Sequence, residues 1–184
     1  MRITKLRNSQ KPYLASKMQD IRDIYTQYKV YLDMDKAAYE FMTEKLRIPK
    51  EFYMLGGSAA LIAYGIKLDR LPHDIDIIVA MGIYDAVIDL IKDSCYYTKP
   101  SSDVPSSGHF AVEIEYEGIK YILDILPHDM PIPFKNCKPG FVYLQDLAQI
   151  QAVKLQWCRA KDVMDRHLIT QFLDECTPVE SSLA

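Results

Sequence analysis

The sequence predicts an α/β domain, α+β in its connectivity: a small mixed sheet with helices packed on it and a helical segment toward the C-terminal end. Three observations predict it. Apolar residues recur at helical spacing over 16–46, where Ile21, Ile24, Tyr25 and Tyr28 are followed by Ala37, Ala38, Phe41 and Met42. Short apolar runs of aromatic or β-branched residues, bounded by Gly, Pro and Asp, occupy 52–55, 74–80 and 109–126. Helical periodicity returns after residue 143 and lasts nearly to the end. That order, helix, then strands mixed with helices, then helices, fits helices laid on one mixed sheet. The 184 residues are 49% hydrophobic and 26% charged, which suffices for a domain with a core and excludes global disorder.

Each element has its local reason. The first helix is expected over 16–46 with one break near 33–35, and Pro49 ends it because a proline disfavours helix at the preceding residue. "FYML" (52–55) is a short strand. "GGSAALIAYGI" turns tightly into an apolar helix that ends near Gly65. "KLDRLPH" is a loop, "DIDIIVA" (74–80) a strand, and "IYDAVIDLIKDSCYY" (83–97) an amphipathic helix. "TKPSSDVPSSG" (98–108) is a loop rich in Pro and Ser. "HFAVEIEYEGIKYILDIL" (109–126) is a hairpin that turns at Glu117-Gly118. "PHDMPIPFKNCKPG" (127–140), with four prolines, is irregular. Helices are expected at 143–159 and from about Lys161 to Cys176, followed by a frayed tail.

Net charge is −3, so the overall balance does not advertise a nucleic-acid binder. Residues 1–17 are the exception, with five Lys/Arg and no acid; they read as a solvated arm, with a phosphate-tracking arm as the sharper alternative. Cys95, Cys137, Cys158 and Cys176 form no CxxC pair, which fits neither a zinc site nor a dense disulfide framework. No apolar h-region follows the basic N-terminus, and no run is long enough to span a membrane. A reducing cytoplasm is the expected location.

Asp74 and Asp76 are the odd residues of an otherwise apolar strand. Side chains at i and i+2 share one face about 6.5–7 Å apart at the backbone, while Ile75 and Ile77 face the other way, into a core. Like charges so placed raise one another's pKa, and a divalent cation between them removes the conflict. A half-exposed strand showing two acids to water would look the same. Upstream, Gly56, Gly57 and Ser58 join a strand to a helix; this is either a phosphate-cradling turn or an ordinary turn with Ser58 as N-cap. Downstream, Asp124 stands in the apolar strand "YILDIL", where an unpaired carboxylate is costly and calls for a cation or strong donors.

The Gly57-Ser58 turn, Asp74-Ile75-Asp76 and Asp124, in that order, resemble the nucleotidyltransferase superfamily of the DNA polymerase β type. "GGSAALIAYGIKLDRLPHDIDIIV" and "YLQDLAQIQAVKLQWCRAKDVMDRHLI" look more specifically like the AbiEii/AbiGii toxin-like nucleotidyltransferases, whose K…R-x-K-D-x-x-D segment matches Lys154, Arg159, Lys161, Asp162 and Asp165. The similarity covers roughly residues 52–172.

Three segments are expected. These are a basic arm and helical segment (1–50), a catalytic core (51–130), and a proline-rich linker with C-terminal helices packed on the core (131–184). The resemblance implies transfer of a nucleoside monophosphate from an NTP to an acceptor with release of pyrophosphate. The acceptor is a tRNA or a protein in the toxin-like reading, and a cognate antitoxin is then an implied partner. A small molecule of the aminoglycoside kind is the alternative, and a non-catalytic nucleotide-binding module with the same fold is a further one. Asp74, Asp76 and Asp124 would hold Mg²⁺ or Mn²⁺, with Asp124 helping to deprotonate the acceptor. Gly56, Gly57 and Ser58 would cradle phosphates, and Arg70, Lys154 and Arg159 would neutralise them.

From the residues alone, Lys154 also reads as a snorkelling lysine on a helix whose apolar stripe includes Leu147, Ile150 and Leu155. Asp162 reads as a helix cap. His73 reads as a solvated loop histidine, while His128 and Asp129 carry no assignment.

Overall fold

The structure, a computed structural model, describes residues 11–94, 110–128 and 140–176. The first ten residues of the basic arm, Cys95, Cys137, the loop at 98–108, Asp129 with most of the proline-rich stretch, and the tail beyond 176 lie outside the described residues.

Helix α1 runs from Lys11 to Tyr39 without the break expected at 33–35. The reason is that Asp35 is fully buried and its carboxylate accepts the backbone N–H groups of Phe141 (2.7 Å) and Val142 (3.0 Å). An acid satisfied from a distant segment has no need to leave the helix. A π turn at Glu40–Lys45 follows, and Arg47 at φ 61 with Pro49 beyond it stops the helical path.

Strand β1 is Tyr53–Leu55, and α2 is Gly57–Ala63. Strand β2, Asp74–Ala80, has the bounds its pattern predicts, and α3 covers Met81–Lys92, starting two residues before the expected position. Strands β3 (Phe110–Tyr116) and β4 (Ile119–His128) form the expected hairpin, with Glu117 at φ 50 and Gly118 at φ 77. Two consecutive left-handed residues are what a two-residue type I′ turn needs.

Strand β4 continues through Pro127 and His128, which corrects the expectation of irregular chain from 127. In the parallel pairing with β2, Pro127 lies opposite Val79 and His128 opposite Ala80. The chain at 143–144, expected as helix, is a short strand β5 (Tyr143–Leu144); helix α4 starts only at Leu147, capped by Asp146, whose carboxylate accepts the Ala148 N–H. Helix α5 is Ala160–Cys176.

The sheet has the order β3-β4-β2-β1-β5. β2 pairs parallel with β4, β1 pairs antiparallel with β2 and parallel with β5. One face carries Tyr53, Leu55, Ile75, Ile77, Leu123 and Ile125 into the main core, packed under α1, α2 and α3. The opposite face carries Asp74, Asp76 and Asp124 and then a small apolar cluster of Met54, Ile78 and Leu126. That second face is where the site lies. Cys158 and Cys176 are free thiols. Among the described residues, no helix is long and apolar enough to cross a membrane.

Candidate active site

The parallel register sets Asp76 of β2 directly beside Asp124 of β4. With Asp74 two residues earlier on the same face, the three carboxylates offer oxygens that all lie within 4.8 Å of one another. Each side chain is partly buried. Burial, then the charges of Asp74 and Asp124, push the Asp76 carboxyl up to about 7, although Lys154 and Lys161 pull it the other way. Three carboxylates so close cannot all ionise comfortably without a counter-cation. Oxygen-only donors of this kind suit a hard divalent ion such as Mg²⁺ or Mn²⁺.

The glycine turn is built around these acids. The Gly56 N–H donates to the Asp76 backbone carbonyl at 2.8 Å, which ties the turn to β2. Gly57 has φ +55, and a Cβ there would overlap the Asp76 carboxylate. Only glycine meets both demands. Ser58 is buried, and its Oγ accepts a hydrogen bond from Arg70 at 3.2 Å.

Arg70, Lys154 and Arg159 are brought together by two wholly buried carboxylates. Arg70 grips Asp165 through both terminal nitrogens, at 2.9 and 2.7 Å. Lys154 is buried rather than snorkelling, with Nζ 2.7 Å from Asp165 and 3.4 Å from Asp162. Leu155, expected in the apolar stripe beside it, points out instead. Arg159 donates to Asp162 through Nε at 2.6 Å and through its backbone N–H at 3.2 Å. Asp162 thus reaches back over the first turn of α5, as a third helical residue does in a capping box.

Burial alone would raise the carboxyls of Asp162 and Asp165. Hydrogen bonds from Arg159 to the first, and from Arg70 and Lys154 to the second, outweigh it and hold both below the usual range. The network ties the Ser58 turn, α4 and α5 together. His73 is not part of it.

Above the acids lies a cavity of about 670 Å³ between the second sheet face and α4. Gly57, Ser58 and the three aspartates line one end, Lys154, Arg159 and Lys161 one rim, and Ile78, Leu126, Ile150 and Val153 the apolar wall. Gln145, Trp157 and His128 are among the lining residues that lay outside the expected site. Gln145 is buried and follows β5, pinned by its own N–H to the Leu55 carbonyl at 2.8 Å. Trp157 closes the end of α4, with the Arg159 guanidinium 4.5 Å over its ring. His128 presents a buried Nε2 with no hydrogen-bond partner among the described residues. Only tertiary pairing brings these three to the acids; the signal nearest to one in the sequence is the alternation 124-126-128, which puts His128 on the Asp124 face.

No family model matches the chain, and no curated protein matches it. A solved structure from Thermotoga maritima, described as a candidate nucleotidyltransferase, aligns with a TM-score of 0.41 and 16% identity, over 75% of this chain and 91% of that one.

Proposed function

We propose that this chain is a divalent-cation-dependent nucleotidyltransferase that moves a nucleoside monophosphate from an NTP to an acceptor hydroxyl. One observation carries the reading: three carboxylates with oxygens within 4.8 Å of one another stand beside a Gly-Gly-Ser turn at one end of a cavity large enough for a nucleotide. In the transfer, a bond forms between the acceptor oxygen and the α-phosphorus, the α–β bridging bond breaks, and pyrophosphate leaves.

Asp74, Asp76 and Asp124 would hold Mg²⁺ or Mn²⁺. When bound, the ion supplies charge neutralisation to the triphosphate and the transferring group. Asp124 lies at the edge of the cluster toward β3 and takes the acceptor's proton. Gly57 leaves open backbone against the acids. Ser58, whose Oγ already accepts from Arg70, keeps its own O–H free to donate to a phosphate oxygen. Lys154, Arg159 and Lys161 set a positive rim toward the phosphates. Ile78 and Leu126 with Trp157 offer an apolar, partly aromatic bed for a base, and the Gln145 amide offers it one donor group and one acceptor. The joining of Lys154, Arg159, Asp162 and Asp165 in one network supports a toxin-like member of the superfamily.

The test is transfer of label from each α-labelled NTP, with Mg²⁺, to tRNA, protein and aminoglycoside acceptors, read beside pyrophosphate release. Label transfer that disappears in Asp76→Ala supports the reading. Transfer unchanged in that variant overturns it.

A further inference from the structure

We propose that the outward face of the first half of α1 docks an acidic amphipathic helix of a partner protein. Met18, Ile21, Ile24, Tyr25 and Tyr28 point away from the core and are 40–71% exposed. Positions 18, 21, 25 and 28 alternate by three and four, the seam spacing of a two-helix pair. Together they show on the order of 500 Å² of apolar surface, as large as the largest patch of a typical monomer.

The helix is firmly held, so the stripe is a fixed surface. The Gln27 amide makes both hydrogen bonds of the Leu68 backbone, at 2.6 and 3.0 Å, and Tyr31, Met34 and Ala38 are buried beneath. Lys67 engages Asp20 at 2.8 Å and Asp23 at 3.6 Å. The acids of this half of the helix are therefore satisfied within the chain.

The cations are not. Arg22 and Lys29 flank one edge of the stripe and Lys36 continues their line one heptad beyond it; all three are exposed and make no ion pair among the described residues. Asp33, four residues from Lys29 and three from Lys36, bridges neither lysine, and Asp35 beside Lys36 is buried on the N–H groups of Phe141 and Val142. An apolar seam with a rail of three unpaired cations is half of a heptad interface. Its complement is a helix with apolar seam residues and Glu or Asp along the facing edge. A second copy of this chain fits poorly: paired antiparallel, rail would face rail, and paired parallel, the rail would face Lys17 and Ile24.

The test uses the full chain and two labelled helical peptides of about three heptads with the same Leu seam, one flanked by Glu and one by Lys. Fluorescence anisotropy should show the Glu peptide bound and the Lys peptide at least about tenfold weaker. Arg22→Glu/Lys29→Glu/Lys36→Glu, whose sites are all exposed, should invert that preference, and Ile21→Asp/Tyr25→Asp should lose both peptides, with unchanged far-UV circular dichroism in each. Three results overturn the proposal. They are equal binding of both peptides or of neither, a wild-type dimer that Ile21→Asp/Tyr25→Asp dissociates, and binding of anionic vesicles or tRNA through the same three cations without peptide binding.

Discussion

The carboxylate of Asp76 occupies the space that any side chain at position 57 would need: Gly57 has φ +55, and a Cβ there would overlap the Asp76 Oδ2. Turn and metal-site candidate are thus one construction. The Gly56 N–H bond to the Asp76 carbonyl holds them in register.

Gly57→Ala meets both a disfavoured backbone and that overlap. It should destabilise the fold by about 1–3 kcal/mol and displace Asp76. Urea unfolding gives the first effect, and loss of Mn²⁺-induced thermal stabilisation gives the second. Gly65→Ala is the control, because it also has positive φ but meets nothing within 4 Å. It should lose stability and keep the response to Mn²⁺.

The raised Asp76 carboxyl makes metal-free stability depend on pH. Its folded value is about 7 against the ordinary 3.8, so the folded state holds the extra proton in between. Stability in EDTA should fall as pH rises from about 4 to about 7 and level off above, the reverse of a salt-bridged carboxylate. Asp76→Asn should therefore melt higher than wild type at pH 8 in EDTA and be the same or lower at pH 4. Mn²⁺ should raise the wild-type midpoint at pH 8 and leave the variant unmoved. Thermal melts at the two pH values check all three.

Asp165 behaves oppositely. Arg70 and Lys154 hold its carboxyl low against the effect of burial, so its contribution is complete above the ordinary carboxylate range and is lost as pH falls below it. Asp165→Asn takes the nearest carboxylate from Arg70 and from buried Lys154, leaving them Asp69 at 3.2 Å and Asp162 at 3.4 Å, and should cost about 3 kcal/mol at pH 7. Denaturant melts at pH 7 and pH 3 should show a smaller gap between variant and wild type in acid.

Gln145 packs beside Gly56 and lines the cavity with an amide. In the proposed enzyme, Gln145→Leu should shift the relative KM of the four NTPs by about 10-fold or less, with kcat and melting temperature little changed. Steady-state kinetics with each NTP reads this directly.

Much of this architecture is legible in the chain because its signals are local. The run 74–80 alternates around two acids and is a strand with those bounds, and Glu117-Gly118 turns the hairpin as its chemistry asks. What stayed hidden depends on residues far apart. Strand β5 is two residues long and exists through its pairing with Met54 and Leu55. Asp35 stays in its helix because Phe141 and Val142, more than a hundred residues away, satisfy it. The neighbourhood of Asp76 and Asp124 rests on a parallel pairing that no local period encodes; it was expected from the family resemblance alone. The grip of Asp165 on Arg70 and Lys154 joins three separate segments; the K…R-x-K-D-x-x-D resemblance marks Lys154 and Asp165 but not their meeting with Arg70.

In the proposed enzyme, Asp74, Asp76 and Asp124 hold a divalent cation for a nucleoside triphosphate. Titration calorimetry of each NTP into the wild type and into Asp74→Ala/Asp76→Ala, with Mg²⁺ and with EDTA, tests it most directly. Mg²⁺-dependent binding of at least one NTP by the wild type, and none by the double variant, is expected. Equal binding by both proteins, or no binding of any NTP by the wild type, would contradict it.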